Sequence, residues 1–206
     1  MVRRSLFAAA VAGVLLSACG DDGRTLAPAP EVPIAPETTT TVAAAPDAGF
    51  TTGGESGSSL VISSPSFEPG GFLDETFTCD GLNVPPSLVI TGVPPTAAEL
   101  SVVVIDLDAD NFVHWVVSGL PPVATTIESG VVPPGAVTAR TDSGVVGWDG
   151  PCPPPGDDPH RYSFSVYATG EPVGLTPGLD GREAISLIET AAIASNRVVA
   201  FYASVE

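Results

Sequence analysis

Lysine is absent from this chain: all seven basic residues are arginine, set against 24 acidic residues and a net charge of −17. Nucleic acid is therefore a poor partner, because no basic patch is available to neutralise phosphates and release their counterions. Long apolar runs are absent as well. The most apolar stretch, Leu6 to Leu16, falls short of the about 20 residues that a helix needs to span a bilayer core. Histidine is scarce, with only His114 and His160, and so is cysteine, with three. No nucleophile is paired with a recognisable base motif. No glycine loop has phosphate-cradling spacing, and no helical metal motif occurs. These absences favour a binding protein over an enzyme, with no resident metal or cofactor expected.

What is present begins with Arg3 and Arg4 ahead of the run from Leu6 to Leu16, the layout of a secretory leader. The run ends in Leu16-Ser17-Ala18-Cys19-Gly20, which resembles the bacterial lipobox. There the small residues admit the peptidase and the cysteine is acylated. Residues 1–19 are thus expected to be a lipoprotein leader with its lipobox. Cys19 is expected to hold the mature chain on the extracytoplasmic face of the cell membrane, since two or more acyl chains give stable anchoring. The acidity suits a soluble surface protein. Cys79 and Cys152 then remain, an even pair in a compartment where disulfides persist. A bridge and two separate buried thiols are both open readings at this level.

Residues 20–58 read as a linker, with Ala-Pro-Ala-Pro at 27–30, four threonines at 38–41 and a Gly/Ser/Thr stretch at 51–58. Such a segment buries too little apolar surface to offset its ordering entropy. As a coil it reaches roughly 35 Å on average. Residues 59–206 are enough for one sizeable core. Short β-branched or aromatic runs predict strands over Ser59–Ile62, Leu88–Thr91, Leu100–Ile105, Phe112–Val117, Tyr162–Tyr167 and Val198–Val205. One helix is predicted over Arg182–Ala194, with Ala184, Leu187, Ile188 and Ala191 at helical spacing and Ser195-Asn196 as its stop. Strands that do not alternate with helices favour a mainly β domain. The expected architecture is an antiparallel β-sandwich with a peripheral C-terminal helix.

Chemistry gathers where apolar strands meet loops. Val102 to Ile105 runs into Asp106-Leu107-Asp108-Ala109-Asp110. An extended chain there would turn Asp106 and Asp108 to one side, able to take a cation, an ammonium group or neighbouring donors. The alternative is a plain turn entered by acidic residues. In Phe112 to Val117, period two groups Phe112, His114 and Val116 on one face and Val113, Trp115 and Val117 on the other. His114 then lies on an apolar face, either as a satisfied core residue or as a ligand contact. The stiff loop Gly150-Pro151-Cys152-Pro153-Pro154-Pro155-Gly156 leads to a strand whose alternation puts His160, Tyr162, Phe164 and Val166 on one face. Arg161, Ser163 and Ser165 take the other.

Together these pieces resemble the phosphatidylethanolamine-binding protein family, in its bacterial Raf-kinase-inhibitor-like branch. The resemblance covers essentially all of residues 59–206. It rests on Ser64-Pro65-Ser66-Phe67 with Gly70-Gly71, Thr78-Cys79-Asp80-Gly81 with Asn83 and Pro85-Pro86, Asp106 to Ala109, Phe112 to Val117, and Gly150 to Pro155 with His160-Arg161-Tyr162. It implies an antiparallel β-sandwich with a pocket lined by Asp106, His114, the Gly150-Pro151 turn, His160 and Tyr162, with Asp108 alongside. Both Cys79 and Cys152 fall in motif loops beside that pocket, so a bridge between them is expected. The family pattern has proline where Leu107 and Asp110 stand, asparagine where this chain has Ser118-Gly119, and a histidine near Ala192-Ile193-Ala194.

The implied ligand is small and anionic or zwitterionic, such as a phospholipid head group, because paired carboxylates oppose a bare phosphate but suit phosphate and ammonium together. Both histidines are expected to be protonated donors to it, with Tyr162. Asp106 is expected to orient a histidine or receive the ammonium. The alternative is a regulatory protein that inhibits an enzyme or receptor by surface contact. A metal-dependent hydrolase using Asp106, Asp108, His114 and His160 is the least favoured reading.

Overall fold

The computed structural model describes residues 59–204. The leader, Cys19 and the linker lie outside the described residues. Two antiparallel sheets form the domain. The smaller has strand order β1-β2-β5, with β1 Val61–Ser63, β2 Leu88–Thr91 and β5 Thr125–Ile127. The larger has order β6-β4-β3-β7-β8, from β3 Glu99–Asp106, β4 Phe112–Leu120, β6 Val137–Thr138, β7 His160–Thr169 and β8 Ala192–Tyr202. Among the described residues one α-helix, α1 Gly181–Ala191, precedes β8. The mainly β, sandwich-like fold read from the sequence is the one observed.

Side-chain alternation builds two apolar layers. Leu88 and Ile90 from β2, Val102 and Val104 from β3, Trp115 from β4 and Phe164 from β7 fill the space between the sheets. Val103, Val113 and Val116 point the other way and pack under Ala184 and Ile188 of α1. Each fully buried side chain of this size contributes roughly 1.5–3 kcal/mol. The helix starts at Asp180, whose carboxylate accepts from the Arg182 and Glu183 N–H groups at 3.0 and 3.2 Å, an N-cap that satisfies two orphan donors. Its core face is Ala184 and Ile188, whereas Leu187 is exposed. Gly181 is required, since a Cβ there would sit 2.5 Å from the Arg140 carbonyl oxygen.

Three expectations are corrected. The helix ends at Ala191, and residues 192–196 belong to β8, which pairs with β7 from Ala192 opposite Thr169 to Tyr202 opposite His160. Ladder pairing with β7, irregular only between Ala168 and Thr169, satisfies backbone groups there and outweighs the helical spacing. β8 also stops at Tyr202. On β4 the simple alternation fails: Val104 pairs Trp115, but Ile105 pairs Val113, so His114 is the extra residue of a β-bulge. The bulge puts Val113 under the helix and Trp115 between the sheets, and parts Val116 from His114. Bulges commonly re-aim a side chain beside a site. Among the described residues no helix is long and apolar enough to cross a membrane.

Candidate functional site

Where β3 ends and β7 begins, Asp106 pairs with Tyr162 across the ladder. His160 and Asp106 meet by side chain, Nδ1 to Oδ2, at 2.7 Å. Asp106 is 3% exposed and His114 5%. A cavity of about 320 Å³ opens here, walled by Asp106, His114 and His160 together with Phe112, Gly150 and Cys152. Ser143, Asp149, Ala109, Pro153 and Pro154 complete the lining. Such a volume is at the lower end for a small-molecule site, roughly 300–1,000 Å³.

Each histidine is anchored through Nδ1. His114 donates to the Asp149 carbonyl at 2.6 Å, and His160 donates to Asp106. A ring nitrogen held this way fixes the tautomer and leaves Nε2 as the working atom. Burial pushes the His114 pKa below its ordinary value, with the Asp149 carbonyl and nearby carboxylates only partly opposing the shift. His114 is therefore neutral at neutral pH, and its Nε2 is an acceptor, which corrects the expectation of a protonated donor. The Tyr162 ring stands against both imidazoles, T-shaped to His114 at 5.3 Å and stacked with His160 at 6.4 Å. Its hydroxyl is buried without a hydrogen-bond partner among the described residues. Burial first, then the Asp106 carboxylate, pushes its pKa far up, so it remains a neutral phenol.

The loop that closes the cavity is fixed from behind. Gly150 donates to Asn83 Oδ1 at 2.8 Å, and a Cβ at Gly150 would meet that oxygen at 2.5 Å. Only glycine allows so close an approach. Cys79 and Cys152 form a disulfide with Cα atoms 5.4 Å apart, and the Cys79 N–H donates to the Pro151 carbonyl at 3.0 Å. Asp106, His114, Gly150 and His160 thus converge as read from the sequence. Tyr162 supports the imidazoles from the core, and Pro151 ties down the loop without lining the cavity.

Asp108 does not join them. The chain leaves the extended conformation at Asp106, whose Oδ1 accepts from the Asp108 N–H at 2.8 Å in a side-chain-closed turn. The Asp108 carboxylate is instead forked by Arg161, at 2.6 Å to Nη2 and 3.0 Å to Nε. The Arg161 hydrogen bonds hold its pKa down to about 2. Two polar lining residues were missed by sequence reasoning. Asp149 directly precedes the Gly150-Pro151 turn, a signal that was available. Ser143 donates to Asp149 Oδ2 at 2.5 Å and carries no sequence signal, because the fold alone brings its loop to the cavity.

The sequence pattern of the family described as phosphatidylethanolamine-binding protein matches residues 63–203. LppC of Mycobacterium tuberculosis, named as a candidate lipoprotein, is 36% identical over 90% of this chain and 89% of its own length. A UPF0098 protein of Methanothermobacter thermautotrophicus is 35% identical over 66% of this chain and 94% of its own. Among solved structures, Escherichia coli YbcL, described as a member of the mammalian family, superposes with TM-score 0.67 and 29% identity, covering 70% of this chain and 98% of that one. The Chlamydia trachomatis homologue CT736 gives 0.65 and 26%, covering 71% and 99%. This chain belongs to the phosphatidylethanolamine-binding protein family.

Proposed function

We propose that this protein is a lipid-anchored, extracytoplasmic binding protein whose cavity takes a zwitterionic or anionic phospholipid head group. The observation that carries this reading is the Asp106–His160 pair at 2.7 Å in the wall of the cavity. It sets a histidine Nε2 beside a nearly buried carboxylate, with the neutral His114 as a second ring. A bare anion meets the repulsion of Asp106 and Asp149. A ligand with phosphate and ammonium meets complementary groups: the His160 imidazole, held by Asp106, for the phosphate, and the His114 Nε2 lone pair with the carboxylates for the ammonium. Binding without turnover fits the one hydroxyl present, because Ser143 donates to the Asp149 carboxylate and not to an imidazole that could activate it. Native mass spectrometry of protein extracted from membranes tests the ligand. Retained phosphatidylethanolamine or phosphate is expected, and an empty cavity counts against the reading.

The anchor rests on the leader pattern ending at Cys19 and on the lipoprotein name of LppC. Cys19→Ser is expected to move the protein from the membrane fraction to the soluble one. A variant that stays fully membrane-bound would contradict the anchor while leaving the cavity untouched.

A further inference from the structure

The outer face of the larger sheet holds a second, larger concavity of about 580 Å³. α1 covers the β3–β4 half of that face with Ala184 and Ile188. The β7–β8 half carries hydroxyls instead. Ser163 and Ser165 form part of the lining and are 1% and 9% exposed, and their hydroxyls meet each other at 3.2 Å, with Ser165 also beside the Tyr167 hydroxyl. A hydroxyl can donate once and accept twice, so this pair holds unspent capacity where an apolar side chain would ordinarily sit. Around it stand Tyr167, whose hydroxyl donates to Glu189 at 3.2 Å, and Asn111 from the β3–β4 turn. Arg197 also lines the groove. Arg161 and Arg182 each hold a carboxylate, whereas Arg197 has no ion-pair partner among the described residues, in a chain with 24 acidic side chains.

We propose that this groove is a saccharide site, taking a hydroxyl-rich sugar that carries one carboxylate. Planar and hydroxyl side chains at fixed spacing match the alternating donors and acceptors of a sugar ring, and the free guanidinium offers a forked partner for a carboxylate. The site lies on the opposite face of the sheet from the head-group cavity, because Ser163 and Ser165 alternate with Tyr162 and Phe164. It is therefore independent of that reading.

The test is ligand-observed saturation-transfer NMR on the detergent-solubilised full chain, with glucuronate and glucose as probes that differ only at the acid carbon. Glucuronate is expected to bind roughly tenfold or more tightly than glucose, the effect of one charge-assisted pair. Arg197→Met, at an exposed position where folding should be kept, should reduce glucuronate to the level of glucose. Ser165→Val, checked for folding by its melt, should weaken both sugars. Phosphoethanolamine should displace neither. The proposal is overturned if neither sugar binds, if Arg197→Met leaves the glucuronate preference unchanged, or if phosphoethanolamine competes and so assigns the sugar to the other cavity.

Discussion

Strand β3 begins and ends on a nearly buried carboxylate, and the two ends have opposite characters. At its start, Glu99 is 8% exposed and accepts from the Gly119 N–H at 3.0 Å and from the Ser118 hydroxyl, which also contacts Ser101. None of these partners titrates in the physiological range, and none lines the cavity. At its end, Asp106 is 3% exposed and bonded to His160, which does line the cavity and keeps Nε2 free. Burial of a charge thus does not by itself mark a site. The partner decides: closed, non-titrating donors make Glu99 a structural clasp, while an imidazole at a cavity makes Asp106 part of recognition.

The largest expected effect concerns the loop at the Asp106 end. The Cys79–Cys152 bridge closes 73 residues of sequence separation, so in the chain-entropy model reduction costs about 4 kcal/mol. Denaturant melts with and without reductant should show that loss, and an unchanged midpoint would mean that the loop is held without the bridge. Next comes the clasp. Glu99→Ala leaves the Ser118 hydroxyl and the Gly119 N–H without their acceptor, and should cost about 3 kcal/mol, a fall of roughly 6–12 °C in Tm for a domain of this size. Head-group binding, corrected for folded fraction, should not change. A clasp variant that loses binding would erase the contrast between the two ends.

A smaller effect lies in pH. Burial lowers the His114 pKa below 6.5, so as the pH falls below about 6.5 the unfolded chain takes up a proton that the folded one does not. Stability then rises with pH across that window and is lost as pH falls towards the folded value. Urea midpoints at about pH 7.5 and about pH 5.5 should differ less in His114→Gln than in the wild type. An equal drop in both would assign the acid sensitivity to other groups.

Much of this was legible in the sequence, for identifiable reasons. β3, β4 and β7 are long apolar or alternating runs, and β7 holds strict period two, so His160 and Tyr162 could be placed on one face of their strand by the pattern alone, whereas Asp106 joined them only through the family resemblance. Short strands such as Val137–Thr138 carry no periodic signal. The bulge at His114 was invisible because register is a property of a strand pair, and one strand's pattern is silent about an extra residue on it. Asp108 was placed on the strand face by assuming that extension continues past Asp106. Instead Asp110 and Asn111 take positive φ values of 52° and 53°, a tight turn that aspartate and asparagine tolerate.

The central claim is that Asp106 and His160 serve recognition while Glu99 serves the fold. Calorimetric titration of phosphoethanolamine into wild type, Asp106→Asn, His160→Ala and Glu99→Gln tests it most directly. The account predicts affinity reduced roughly ten- to a hundredfold in Asp106→Asn and His160→Ala, the value of one charge-assisted hydrogen bond, with wild-type affinity in Glu99→Gln. Equal affinity in all four proteins, or a loss in Glu99→Gln as large as in Asp106→Asn, would contradict it.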